Sequence, residues 1–156
     1  MLENILSNKK VLLLALVVVL VLILFFSCGK SAEKTAIEFV EHMHKGEAKK
    51  IVSLLSDEML DNLMERGNYK TKKVLINSFQ NILEASIEGF KDKYGKKWKY
   101  KIELVDSYKE YKNCIVILEI TYSGKSLFEK IENTETIEIE LIKERGNWKV
   151  NSFSSI

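Results

Sequence analysis

The sequence predicts an α+β protein in which helices come first and an antiparallel sheet follows. Two observations carry this prediction. Apolar residues recur at helical spacing from about residue 32 to residue 94, and from Trp98 onward apolar and charged residues alternate. Because helices and strands are segregated along the chain, we expect two to three helices packed on an antiparallel sheet of about four strands.

The helical region is divided by glycines. The first helix is predicted to begin after Ser31 and to end at Gly46. Two short helices follow, the second of which begins at Ser56. The longest helix extends from about Thr71 to Gly95, and its wide apolar stripe is typical of a helix that packs against a sheet.

Four strands are predicted after the last helix. The first begins at Trp98, the second is Asn113–Ser123, the third is about Thr134–Glu144, and the fourth begins at Trp148 after a tight turn. On the third strand, the isoleucines and a leucine point inward and the glutamates point outward. This alternation predicts an apolar inner face covered by the helices.

The second strand is apolar on both sides. Ile115 and Ile117 lie opposite the predicted inner face, and Ile142 and Phe153 are expected to join them. Either this outer face is covered within the chain, or it pairs with a second copy to form a homodimer.

The N-terminal segment has the order of a secretory signal. Two lysines at positions 9 and 10 precede the uncharged run Val11–Phe26, which is followed by Ser27 and Cys28. Leu24–Cys28 resembles the bacterial lipobox, and the resemblance implies cleavage after Ser27 and lipid attachment at Cys28. The alternative is an uncleaved single-pass membrane helix, although a span needs about 20 apolar residues. Both interpretations attach the chain to a membrane and place the rest outside the cytoplasm, in a bacterial cell envelope.

These features predict three regions: a signal peptide or membrane helix over 1–27, a short tether over 28–31, and one folded domain over 32–156. The chain has 24 basic and 22 acidic residues, a net charge of +2, so composition gives no indication of a nucleic-acid partner. If Cys28 carries lipid, Cys114 is the remaining cysteine, and its apolar neighbours predict a core residue rather than a reactive thiol.

The order of elements resembles the NTF2-like (cystatin-like α+β cone) superfamily, in particular its small bacterial lipoproteins that contain domains of unknown function. The resemblance rests on Ala36–Val40 followed by Gly46–Ala48, and on Ile137–Val150 with its closing Gly-Asn-Trp hairpin. It implies a long helix against a curved sheet, a pocket between them, and dimerisation through the sheet. Neither stretch is a catalytic motif.

The candidate catalytic residues are few. His42 and His44 are two residues apart on a helix and therefore point to different sides, so we interpret them as part of a solvated polar face and expect no metal and no cofactor. Some NTF2-like enzymes transfer protons inside the cone, which requires an inward carboxylate or histidine. The inward hydroxyls are those of Tyr100 and Tyr122, and the glutamates alternate outward. We therefore predict that the protein is not an enzyme.

A lysine-rich stretch follows the longest helix. Its six lysines alternate with three aromatic residues, and they are Lys91, Lys93, Lys96, Lys97, Lys99 and Lys101. The ordinary interpretation is a helix C-terminus followed by the wet face of an edge strand. The functional alternative is a basic patch that faces anionic lipid headgroups.

Together, the sequence predicts a membrane-tethered extracytoplasmic lipoprotein that binds a small apolar ligand or a cell-envelope protein. The alternative functions are an NTF2-like enzyme of the isomerase or dehydratase type, with a pocket in the cone, and a single-pass membrane protein with an uncleaved anchor.

Overall fold

The structure, a computed structural model, describes residues 30–125 and 129–156. Within these residues four helices precede four antiparallel strands, which confirms the predicted α+β class. The predicted signal segment, including Ser27 and Cys28, lies outside the described residues. No helix in 30–125 and 129–156 combines the length and the apolar character needed to cross a bilayer.

The helices are α1 (Ala32–Lys45), α2 (Ala48–Leu54), α3 (Asp57–Arg66) and α4 (Lys72–Tyr94). Three of them begin at a hydroxyl cap. The side-chain oxygens of Ser31, Ser56 and Thr71 each accept a hydrogen bond from the backbone N–H three residues later. At the other end of α1, Gly46 has a φ of 69°, in the left-handed region that favours glycine.

The strands are β1 (Lys99–Glu110), β2 (Asn113–Lys125), β3 (Lys130–Glu144) and β4 (Asn147–Ser155). They lie in one sheet in the order β1-β2-β3-β4, and each pair of neighbours is antiparallel. β1 is therefore an edge strand, as the alternation of its lysines with apolar residues indicates.

The core lies between α1, α2, α4 and the inner face of the sheet. Phe39 and Val40 of α1 are buried against that face, where Leu118 and Ile139 are also fully buried. Burial of each such side chain stabilises the fold by about 1.5–3 kcal/mol. Cys114 belongs to this core, and burial raises the pKa of its thiol, so its environment is that of a packing residue rather than a nucleophile.

An irregularity between β3 and β4 changes the face of one predicted outer residue. Glu140 pairs with Ser152 but Leu141 pairs with Val150, so Asn151 is an extra residue on β4. Beyond this bulge Phe153 lies on the helix side, where its ring centroid is 5.1 Å from that of Phe39. The expectation that Phe153 joins the outer apolar face is wrong for this reason.

Candidate functional site

A cavity of about 430 Å³ lies between α1, α4 and the inner face of the sheet. Its walls are mostly apolar, and they include Val40, Met43, Leu83, Phe90, Ile120 and Ile137. The polar side chains that border the cavity are those of His44, Tyr122 and Glu135 and of three serines, Ser86, Ser154 and Ser155. A concave apolar chamber with a few convergent polar groups is the usual form of a small-molecule site.

His44, Tyr122 and Glu135 form one hydrogen-bonded series, which we call the His–Tyr–Glu chain. His44 Nδ1 lies 2.8 Å from the carbonyl oxygen of Val40, and His44 Nε2 lies 2.9 Å from the hydroxyl of Tyr122. The Tyr122 hydroxyl donates to Glu135 Oε1. The His–Tyr–Glu chain therefore connects α1 to β3 through a residue of β2.

The number of protons in this chain follows from its donors and acceptors. A carbonyl only accepts, so His44 Nδ1 carries a proton, and the Tyr122 hydroxyl has one proton to share between His44 and Glu135. Making all three hydrogen bonds at once requires three protons, whereas a neutral imidazole, a phenol and a carboxylate supply two. With two protons, one of the three contacts lacks a donor, and a proton on His44 Nε2 would supply it.

The surroundings of His44 lower the affinity of its Nε2 atom for a proton. Its ring stacks on Tyr100, with centroids 4.5 Å apart, and lies 5.8 Å from the ring of Phe90. Burial lowers the pKa of His44 below its usual 6.5, although the contact with the Val40 carbonyl and the charge of Glu135 act in the opposite direction. With Nδ1 held by the carbonyl, Nε2 is the basic atom of the ring.

The hydroxyl of Tyr122 lies between His44 and Glu135 and can connect them. Tyr122 is 2 % exposed, and burial together with the hydrogen bond to Glu135 raises the pKa of its phenol. The hydroxyl therefore stays protonated at ordinary pH, and it can pass a proton on one side while it receives one on the other.

The structure corrects the sequence-based view of these residues. His44 is half-buried and borders the cavity, so it does not lie on a solvated polar face. Glu135 lies two residues before the inward Ile137 and therefore shares its face, although the sequence analysis placed the glutamates outward. The two-residue alternation of the third strand therefore identifies Glu135 as an inward residue from the sequence alone.

His42 and the remaining predicted residues lie elsewhere. His42 Nδ1 is 2.6 Å from Glu47 Oε2, on another side of α1 from His44. Among residues 30–125 and 129–156, no three His, Cys, Asp or Glu side chains lie close enough together to hold a metal ion. Four of the six lysines of the basic stretch line a second cavity, whereas Lys93 and Lys101 are not among its lining residues.

Comparison with solved structures supports the fold. An NTF2-like transpeptidase, so named, from Campylobacter jejuni is similar over 79 % of this chain and 99 % of its own, at 14 % identity and a TM-score of 0.53. A SEC-C motif containing protein from Rhodopseudomonas palustris is similar over 81 % of this chain and 82 % of its own, at 12 % identity and a TM-score of 0.52. The chain thus has an NTF2-like fold. No protein-family model matches the sequence, and no curated protein matches it.

The comparison also corrects one prediction. We expected a protein that is not an enzyme, but a solved protein with the same fold is named as a transpeptidase. The ground for the expectation was the lack of an inward base, and the cavity contains both His44 and Glu135. Similarity at 14 % identity supports a shared fold but not a shared reaction, so the chemistry of this chain has to be argued from its own cavity.

Proposed function

We propose that the cavity binds a small, mainly apolar molecule with one polar group, and that the His–Tyr–Glu chain exchanges a proton with that group. The observation that carries this proposal is the proton count of the chain, which has three hydrogen bonds to make and two protons when its members are in their ordinary states. A ligand that donates a proton to the His–Tyr–Glu chain would supply the missing third proton.

The size and lining of the cavity support this ligand class. About 430 Å³ lies within the range of small-molecule pockets, and apolar side chains form most of the wall. Burial of apolar ligand surface would provide most of the binding energy, while the polar group would be oriented toward His44 and Tyr122.

The expected chemistry is general acid–base catalysis. Because His44 Nδ1 is held by the Val40 carbonyl, Nε2 is the basic atom of the ring, and it faces the Tyr122 hydroxyl, so a proton from a ligand O–H would reach it through that hydroxyl. Tyr122 can relay the charge to Glu135, and the same groups can return the proton to a different atom of the ligand. A base whose pKa lies near the working pH performs this exchange best.

Acyl transfer, the reaction class in the name of the Campylobacter jejuni neighbour, is less well supported. It commonly needs an activated nucleophile, and a thiolate requires a lowered pKa. Cys114 is buried and burial raises the pKa of its thiol. Proton exchange therefore fits the described residues better than a thiol-based acyl transfer.

The test uses 4-nitrophenol as the probe, since it is aromatic, has one weakly acidic O–H, and absorbs visible light when it is ionised. The full chain in non-ionic detergent should bind it saturably and change its ionised fraction at constant pH. His44→Gln and Glu135→Gln should reduce both effects, whereas Tyr100→Phe should not, because the Tyr100 hydroxyl has no hydrogen-bond partner among the described residues. Binding that is the same in all four proteins would refute the proposal, provided that circular dichroism shows the variants folded.

We further propose that the domain is held at a membrane outside the cytoplasm by lipid on Cys28. The support is the order of lysines, apolar run and cysteine, together with the start of α1 at Ala32, which leaves a tether of a few residues.

Intact mass of the membrane-extracted protein tests this. The wild type and a Cys114→Ala control should both have the mass of residues 28–156 plus acyl chains, whereas Cys28→Ala should keep the mass of the precursor. A wild type with the mass of all 156 residues would establish the uncleaved anchor instead.

A further inference from the structure

A second cavity, of about 780 Å³, lies where the C-terminal end of α4 meets the end of β2 and the start of β3, and we call it the basic groove. It is lined by six lysines, which are Lys91, Lys96, Lys97, Lys99, Lys125 and Lys130. Two acidic residues, Glu88 and Asp92, also line it. Lys125 and Lys130 are distant in sequence from the other four, so the groove is a product of the fold and not of one charged stretch.

Two glycines bring the walls of the groove together. A Cβ atom on Gly124 would lie 1.9 Å from the carbonyl oxygen of Tyr94, and one on Gly95 would lie 2.5 Å from the carbonyl oxygen of Lys125. The backbone at the end of α4 therefore contacts the backbone at the end of β2 directly. This contact places the lysines of both segments around one space.

Most of these lysines have no acidic partner to neutralise them. Lys91 Nζ lies 2.5 Å from Glu88, and Lys130 Nζ lies 3.0 Å from Glu132. In the described part of the chain, the other four lysines form no salt bridge, and they are Lys96, Lys97, Lys99 and Lys125. Neighbouring like charges in a concave site repel one another and produce a positive potential that attracts anions.

The basic groove and the start of α1 lie at opposite ends of the sheet. Near the start of α1, Glu33 accepts a hydrogen bond from Ser107, whose register partner on β2 is Val116. Gly124 lies eight residues further along β2, which corresponds to roughly 25 Å at about 3.3 Å per residue. A tether over residues 28–31 reaches at most about 14 Å. The tether is therefore shorter than the distance along the sheet between the start of α1 and the groove.

From this we infer that the basic groove is a binding site for a multiply charged phosphate ligand in solution, of the polyphosphate class, and not a contact with the anchoring membrane. Lysine binds phosphate as a point charge, so a ligand with several phosphate groups can engage several lysines at once. This inference is independent of the ligand proposed for the apolar cavity.

The first test is calorimetric titration of inorganic tripolyphosphate into the full chain in non-ionic detergent. We expect saturable binding that weakens with added salt and falls about tenfold or more in the triple variant Lys96→Ala, Lys97→Ala, Lys125→Ala. The control is the triple variant Lys49→Ala, Lys72→Ala, Lys73→Ala, which removes the same charge from exposed positions elsewhere. The control should bind as the wild type does. Absence of binding, or an equal loss in both variants, would overturn the inference.

The second test separates a soluble phosphate from a lipid headgroup. The full chain is reconstituted into phosphatidylcholine vesicles with or without phosphatidylglycerol, its lysines are acetylated with N-hydroxysuccinimidyl acetate, and the sites are measured by mass spectrometry. Tripolyphosphate should protect Lys96, Lys97 and Lys125 in both kinds of vesicle. Protection by phosphatidylglycerol and not by tripolyphosphate would instead assign the groove to the membrane surface. The variant His44→Gln should keep the tripolyphosphate protection, since the two sites are separate.

Discussion

Replacing Tyr122 by phenylalanine removes one oxygen atom and leaves the ring in place. In the wild type that hydroxyl contacts His44 Nε2 at 2.9 Å and donates to Glu135 Oε1. The side chain is 2 % exposed, so bulk water cannot replace the contacts that the hydroxyl makes. Water could reach His44 and Glu135 only through the cavity. The substitution therefore leaves the polar ends of two neighbours without a protein partner while apolar packing is conserved.

The magnitude follows from the hydrogen bond that the hydroxyl donates. A hydrogen bond from the Tyr122 hydroxyl to the Glu135 carboxylate is of the charged kind, which contributes about 1.5–3 kcal/mol net, so its loss lowers the free energy of unfolding by about 2 kcal/mol. With a urea dependence of about 2 kcal/mol per molar for a domain of this size, the unfolding midpoint moves down by about 1 M.

The assay is urea unfolding of the full chain in non-ionic detergent, followed by circular dichroism. The matched control is Tyr100→Phe, because the Tyr100 ring stacks on the His44 ring with centroids 4.5 Å apart but its hydroxyl has no hydrogen-bond partner among the described residues. We expect a change of less than about 0.5 kcal/mol for the control. Equal midpoints for the two variants would show that the His–Tyr–Glu chain does not contribute to stability as argued.

The remaining predictions concern pH and two glycines. Because burial lowers the pKa of His44 below 6.5, the unfolded chain takes up this proton first as the pH falls, so stability decreases below pH 6.5. His44→Gln should remove this contribution, and a wild type and variant with the same pH slope there would contradict it. Gly124→Ala should lower the free energy of unfolding by more than about 2 kcal/mol, since its Cβ would lie 1.9 Å from the Tyr94 carbonyl oxygen, which is backbone and cannot rotate away. Gly89→Ala, in α4 with no atom within 4 Å of the new Cβ, should raise it by roughly 0.5–1 kcal/mol, and a decrease there in thermal or urea unfolding would refute the propensity argument.

Local signals predicted the elements of the fold well. The caps Ser31, Ser56 and Thr71 begin their helices because a hydroxyl satisfies a free N–H of the first turn, and that chemistry is readable from a few neighbouring residues. Strand alternation likewise identified the inner face of β2, on which Val116 and Leu118 are fully buried.

The candidate site depends on contacts that no local pattern contains. His44 and Tyr122 are 78 positions apart and meet because α1 packs across the sheet. Glu135 could have been predicted from the two-residue period of β3, but its hydrogen bond to Tyr122 could not, since it depends on the register between β2 and β3. Phe153 was misplaced because a bulge reverses the alternation, and a bulge has no reliable signature in a single sequence.

The sequential order of the strands has a consequence for biosynthesis. Each strand pairs with the strand next to it in the chain, so the sheet can assemble from successive hairpins with short loops to close. The helices, however, emerge from the ribosome first, and Phe39 and Val40 lack their partners on the sheet until β2 and β3 have been made. Until the last hairpin appears, the nascent chain therefore exposes apolar helix surface that the sheet later covers, and surface of this kind promotes aggregation.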